Sequence, residues 1–433
     1  MRSVALKGIL LVNKPIKHSP RTFGNGRSVL ISGASIAGPA LAYWLHEFGF
    51  SVTVIEQSQT IRLGGYPIDL RGSAMQVAER MGLLTELFQE HIRSQKATFL
   101  DGDGREIATV EPEWIHGAVR GRDVELPRGT LTSLLVSLTR DRIPYRFGTS
   151  IAAMHDRADG VEVTFTDGGG ERFDIVVGAD GMHSNTRKLA FGPEADFVWP
   201  VGFCFAGFST PNMLGLSHEA VCVNAPGRLA ALYAVGEKPK SVFTLLAFSH
   251  PYLLGGEGRD PAFQRDLTAK AFAGAGWKLQ ELIASMQVAD DLYFDTVQQI
   301  RMPTWTKGRI ALVGDAAYAP SFLTGQGSSL ALVGAYVLAC ELARHADHRD
   351  AFAAYNDKLR PFVEMNQATV DQGKVGMIPS TPEQLEQRKA SLLALARASA
   401  TQKGTERAVH SALDLSDYDA IQPGSTATRA VTS

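Results

Sequence analysis

Cysteine is nearly missing from this chain. Only Cys204, Cys222 and Cys340 occur in 433 residues, with no C-x-x-C spacing. That excludes a disulfide framework and a zinc knuckle, and makes a reducing cytoplasm the expected compartment. Charge imbalance is missing too. A formal net charge of −2 gives no long-range field for a phosphate backbone or an anionic lipid surface, so neither nucleic acid nor membrane is an expected partner. No uninterrupted apolar run approaches the roughly 18 residues of a bilayer span. Residues 1–26 lack the layout of a cleavable leader and read as a flexible extension. Also absent are H-E-x-x-H, G-x-S-x-G and any pattern that pairs a cysteine with a histidine, and the eleven histidines are scattered. Hydrolytic and metal-dependent chemistry thus lose their usual carriers.

What is present is a large core. At 45% hydrophobic and 20% charged residues, a chain of this length buries ample apolar surface and usually divides in two. From Arg27 the pattern is sharp: Val29-Leu30-Ile31 reads as a buried strand, Pro39 to Phe48 as a helix and Ser51 to Glu56 as a second strand. Between the first strand and the helix stands Gly33-Ala34-Ser35-Ile36-Ala37-Gly38, a dinucleotide fingerprint in its required context. Gly33 permits the tight turn, Gly38 lets helix and strand pack closely, and the helix-start amides suit a pyrophosphate. Ser35 occupies the place of a second glycine. Glu56, ending the second strand, suits ribose hydroxyls and repels a 2′-phosphate, which favours FAD or NAD here over NADP.

Farther along, periodicity predicts helices over 72–91 and 128–139, hairpins between 144 and 177, and a buried strand before Gly178-Ala179-Asp180-Gly181. Residues 197–302 turn β-rich and aromatic, with a helical stretch over 261–286. Gly308 to Ala317 (GRIALVGDAA) returns to strand and glycine turn. Pro320 to Gly327 (PSFLTGQG) leads into a long apolar helix, Gly327 to Arg344. One more helix is predicted over 381–399, ahead of a Ser/Thr/Ala-rich tail with too little apolar surface to order itself. The expected fold is α/β: a Rossmann-like cofactor domain over 27–196 and 303–376, an inserted β-rich substrate domain over 197–302, and a C-terminal helix and tail over 377–433.

The fingerprint, the DG motif at Asp180 and the GD motif at Asp315, in this order, resemble the aromatic-hydroxylase group of flavoprotein monooxygenases across residues 27–372. The resemblance implies FAD, with Asp315 on its ribityl and pyrophosphate region and Gly325, Gln326 and Gly327 at the flavin edge. Arg62-Leu63-Gly64-Gly65, Ile68 to Gly72, Pro127-Arg128-Gly129, Thr306 to Arg309 and Gly334-Ala335-Tyr336 resemble the tetracycline-inactivating monooxygenases in particular. By that resemblance Arg62 lies beside the flavin ring and meets NADPH, while Asp69 and Arg128 contact FAD. NADPH would reduce the flavin and leave, since no second glycine fingerprint follows a strand. O2 would then form a flavin hydroperoxide that passes one oxygen atom to an aromatic substrate. The hard chemistry would be the cofactor's, with no catalytic side chain required.

Phe203, Phe205, Phe208, Tyr233, Phe243 and Phe248 supply enough aromatic surface for a flat apolar pocket. Arg228 matches a position where tetracycline-modifying relatives place a basic residue on the substrate. Phe205 stands where one branch has a glutamine, which makes this pocket less polar. Tetracycline-like polyketides lead as substrates, followed by phenols and other aromatic polyketides. Two other classes fit the same motifs: a flavin-linked dehydrogenase or reductase that inserts no oxygen, and a flavin-binding protein that holds an aromatic drug without turnover. The helix over 381–399 would bridge both domains above the substrate entrance. Oligomeric state is left open, a monomer being sufficient.

Overall fold

The computed structural model describes residues 24–61, 66–251, 260–399 and 406–421. Its first sheet has six strands in the order Thr306–Lys307, Ile310–Leu312, Ile175–Gly178, Ser28–Ser32, Ser51–Glu56, Tyr145–Phe147. All neighbours run parallel except the Thr306–Lys307 edge. The central run Val29-Leu30-Ile31 is wholly buried because both faces are covered, as a parallel sheet requires. Val29 and Ile31 meet the helical layer, whereas Leu30 packs with Val161, Val163 and Phe165 of a three-stranded antiparallel sheet.

On the helical side lie Ala37–Glu47 and Gly327–Arg344, joined where Trp44 and Tyr336 meet at 4.8 Å between ring centroids. The second helix corrects the reading that nothing here could span a bilayer. Its 18 residues are long and apolar enough by length and composition, yet 83% of that window is buried inside the protein. It is a core helix.

The second sheet has seven strands, ordered Tyr293–Ile300, Val198–Pro211, Ser241–Ser249, Arg228–Tyr233, Glu219–Ala225, Lys96–Leu100, Glu106–Val110. Its last two strands come from the stretch assigned above to the cofactor domain, and Lys96–Leu100 pairs in parallel with Glu219–Ala225. The segment 197–302 therefore does not build this sheet alone. One face is covered by the helices Pro261–Ala271 and Leu279–Val288. They replace the single helix predicted over 261–286, broken where Gly274 takes φ +70°. Gly82, at φ +74°, likewise splits the helix predicted over 72–91 into Ser73–Arg80 and Leu84–Gln89. The opposite face packs against Leu323, Val370 and Ile378, with the helix Pro382–Ser399 against its edge. There Leu392 is buried and Arg388 lies over the Phe99 ring at 4.7 Å.

Both chain ends depart from expectation. Gly24 and Gly26 donate backbone hydrogen bonds to Phe48 and Gly49, so the described end of the 1–26 extension is tied down. In the tail, Leu413, Leu415 and Tyr418 are buried in the main core. The Tyr418 hydroxyl donates to Glu341 at 2.6 Å. Averaged composition hid this short apolar sequence. Tyr418→Ala is expected to destabilise the protein by about 3–5 kcal/mol, and Tyr418→Phe by about 1–3 kcal/mol because Glu341 loses its buried donor. Denaturant midpoints check this; an unshifted midpoint for the alanine variant would remove the tail from the core.

Candidate active site

The site begins where the strand Ser28–Ser32 turns into the helix Ala37–Glu47. Gly33 takes φ +113°, and a Cβ there would lie 2.4 Å from the Ala179 carbonyl oxygen. At Gly38 an added Cβ would come within 1.9 Å of the Gly33 oxygen. The two backbones touch because neither residue has a side chain. The Ile36 N-cap side chain makes no hydrogen bond, so no cap competes for the first-turn amides of Ala37 and Gly38. The Glu56 carboxylate accepts from the amides of Ala34 and Ser58, both at 2.9 Å. It forms one wall of a narrow cleft with Ala34, Ser35, Thr60, Arg128 and Thr132. The Arg128 guanidinium donates to the Ser35 hydroxyl at 2.9 Å. The serine standing in the second-glycine position thus aims the arginine across the fingerprint.

Asp180 has a different task. Its carboxylate accepts from the Thr186 amide at 2.9 Å and hydroxyl at 2.8 Å, and from the Ser184 hydroxyl. It fastens the turn into the helix Asn185–Phe191. From that helix the buried Arg187 donates to the Ala316 carbonyl at 2.9 Å, which links the DG motif to the GD motif. Gly314, at φ +66°, brings the GD turn against the first helix; its Cβ would be 3.0 Å from that of Ala37.

The Asp315 carboxyl has no hydrogen-bond partner among the described residues. Burial pushes its carboxyl up, with Arg128 opposing the shift. The following loop holds Ser321 at φ +80° and Gly325 at φ +66°. Strained backbone of this kind gathers at functional sites. Gln326 is 1% exposed, and its Oε1 is buried with no partner. Gly327 opens the long helix without a side-chain cap, and its Cβ would stand 3.8 Å from Asp315. A bare carboxyl, an orphaned amide oxygen and an uncapped helix start converge here. Groups so arranged fit a polar cofactor chain running from the fingerprint to the loop.

Asp69 borders the same loop from a two-stranded ribbon, Pro67–Leu70 with Val124–Pro127. Its Oδ2 is 3.6 Å from where a Gly325 Cβ would lie, and it pairs with the buried Arg71 at 2.5 Å. Sequence reasoning missed Glu125, directly opposite Asp69 in register. Burial first, then the Asp69 charge, pushes its carboxyl up to about 7. The alternation in Val124-Glu125-Leu126 was its only signal. Arg62 lies outside the described residues.

Of the six aromatics singled out, Phe203, Phe205, Tyr233 and Phe243 lie on the sheet face toward this site, while Phe208 and Phe248 pack under the helices. The Phe205 ring is 4.9 Å from Phe322 of the glycine loop and 5.7 Å from Tyr293. Tyr66 and Phe243 meet at 6.3 Å. Arg228 pairs with Phe248 in register, so strand alternation puts it on the other face from Phe205. The two expected substrate contacts are not brought together. His183 lies between two carboxylates, Nδ1 3.0 Å from Glu194 and Nε2 3.3 Å from Asp295. These bonds, Asp295 first, push its pKa up to about 10, so it is a fixed cation rather than a proton shuttle.

Residues 27–369 match the FAD binding domain family. A flavin-dependent monooxygenase from an unknown prokaryotic organism is 39% identical, covering 85% of this chain and 96% of its own length. The crystal structure of tetracycline destructase Tet(55) superposes with a TM-score of 0.75 at 37% identity, covering 88% of this chain and 98% of that one. Tet(51) gives a TM-score of 0.76 at 32% identity, covering 91% and 99%.

Two outcomes follow. Gly38→Ala, having no room for its methyl group, is expected to purify without bound flavin, while Asp315→Asn retains the fold and weakens FAD binding by about ten-fold, near 1.4 kcal/mol. Absorbance of the purified protein and FAD titration check both. Because the His183 pKa is raised in the folded chain, its stabilisation is full below the unfolded value of 6.5 and is lost as pH rises through about 10. The melting difference between wild type and His183→Asn should shrink across that window; a pH-independent difference would contradict it.

Proposed function

Because the chain belongs to the FAD binding domain family and is an FAD-dependent monooxygenase, we propose that its substrate is a flat aromatic or polyketide molecule. Tetracycline-like compounds come first, and NADPH is the reductant. One observation carries the substrate class: the contact of Phe205 with Phe322 at 4.9 Å makes the aromatic sheet face continuous with the glycine loop. A planar ligand lying on that face meets the loop edge-on. Tetracyclines lead because Tet(55) and Tet(51), both described as tetracycline destructases, match this chain over nearly their whole length. On this reading the enzyme would confer tetracycline resistance.

The residues present suit FAD in a definite order. The amides of Ser35 to Gly38 would hold the pyrophosphate, Glu56 the ribose, and Arg128 and Asp315 the span between phosphate and ribityl chain. Asp69 and Gly325 to Gly327 would flank the ring edge, where the uncapped helix start would favour negative charge. Asp180 acts through Arg187 by fixing Ala316. Bound flavin supplies the oxygen chemistry. The protein supplies an apolar face that excludes water and orients the substrate. No second G-x-G-x-x-G follows a strand, so NADPH would have no fingerprint of its own and would meet the flavin as a transient visitor.

The test is NADPH consumption by the FAD-loaded protein in air, with a panel of tetracyclines and simple phenols, followed by product mass under heavy-oxygen gas. The expected result is stimulation by at least one compound together with the gain of one labelled oxygen atom. Stimulation without labelled product would favour a reductase; no NADPH consumption with any compound would sink the assignment of the reductant.

A further inference from the structure

The strand Tyr293–Ile300 puts two polar side chains on the sheet face that carries Phe205. Asp295 stands opposite Phe205 in register, and Tyr293 opposite Gly207. Residues two apart share a face, so the Tyr293 phenol and the Asp295 carboxylate look toward the candidate active site. Gly207 lets the Phe243 ring close onto the strand beside Tyr293; a Cβ there would strike that ring at 2.7 Å. Tyr293 is 44% exposed at the rim of this aromatic surface, one ring removed from the glycine loop through Phe205 and Phe322.

Its hydroxyl is aimed. The phenol donates to Asp295 Oδ2 at 3.0 Å. Asp295 Oδ1 accepts from the Thr296 amide at 2.7 Å and lies 3.3 Å from His183 Nε2. His183 Nδ1 is 3.0 Å from Glu194, whose other oxygen accepts from Arg187 at 3.2 Å. A chain of alternating charge thus runs from the guanidinium that ties the two glycine motifs together to a phenol at the substrate face. A tyrosine hydroxyl has one proton, and here Asp295 holds it. What remains for a ligand is a lone pair, and donation to a carboxylate makes that oxygen a stronger acceptor. A group meeting Tyr293 must therefore bring its own proton.

We propose that Tyr293 contacts the substrate and selects hydroxylated rings by accepting a hydrogen bond from a ring hydroxyl, with Asp295 and His183 as the positioning residues that fix its orientation. The assignment rests on the aromatic-substrate reading given above. No proton changes hands. The substrate O–H is polarised toward Tyr293, which enriches the ring in electrons at the positions an electrophilic oxygen attacks. An ether in the same place cannot donate and leaves the acceptor unmatched, the kind of mismatch that discriminates strongly between near-isosteric ligands.

The FAD-loaded wild type, Tyr293→Phe and Asp295→Asn are titrated with 2-naphthol and with 2-methoxynaphthalene, following flavin fluorescence, and thermal melts verify that each variant is folded. The wild type should prefer the naphthol. Tyr293→Phe should weaken naphthol binding by about ten-fold while leaving the ether unchanged, a loss in the range of one hydrogen bond. Asp295→Asn should lose part of the same preference. Equal weakening of both ligands by Tyr293→Phe, or no change in either, overturns the role of Tyr293 and leaves the aromatic-substrate reading standing. A wild type that binds neither compound overturns that reading, and this assignment with it.

Discussion

The approach of Gly38 to the Gly33 carbonyl fixes the distance between the first strand and the first helix, and the rest of the site is measured from it. A methyl group at Gly38 would sit 1.9 Å from that oxygen, so the helix can be no closer and, with Trp44 wholly buried behind it, has no reason to be farther. Gly314 then docks on Ala37, which sets where Asp315 begins its short helix. Arg187 ties Ala316 back to the DG turn. Apart from the fully buried Arg187 guanidinium, each step transmits position through close backbone approach rather than through flexible side chains. That is how a fold places a bound group to within fractions of an ångström.

Much of this half was readable in advance because its signals are local. Gly33, Glu56 and Asp315 sit at or just past strand ends and Gly38 and Gly327 at helix starts, where residue type and backbone geometry are tightly coupled. Asp180 was readable as a motif but not as a tie: its partners Thr186 and Ser184 follow it in sequence, yet nothing there says that the carboxylate turns inward. Phe205 was legible as an aromatic on a strand. Arg228 was not, because a strand's two faces differ by one residue of register and the sequence alone does not set that register. Glu125, Tyr293 and Asp295 escaped for a related reason. Their meaning arises from pairing with Asp69, from the register with Phe205 and from His183, all distant in sequence.

The seven-stranded sheet is the divided element. Its buried face holds Phe208 and Phe248 under two helices, an ordinary core. Its other face leaves Phe205, Phe243 and Tyr293 toward the cofactor half, with Asp69 and Glu125 opposite one another on the ribbon beyond. Like charges placed directly across two strands are destabilising, and here burial adds to it. Glu125 relieves the conflict by holding its proton more tightly, with its pKa pushed up to about 7. The surface offered to a ligand is therefore aromatic on one side and carboxylic on the other, which distinguishes it from a plain greasy slot.

The buried tail bears on when the protein can become complete. The first sheet takes its strands from as early as Ser28 and as late as Leu312, and Tyr418 reaches into the core against Glu341. A chain made only as far as Leu312 has every strand of that sheet and still lacks this wedge. The cofactor half cannot close vectorially as it is made; its last step waits until the segment from Leu413 to Tyr418 can seat beside the long core helix.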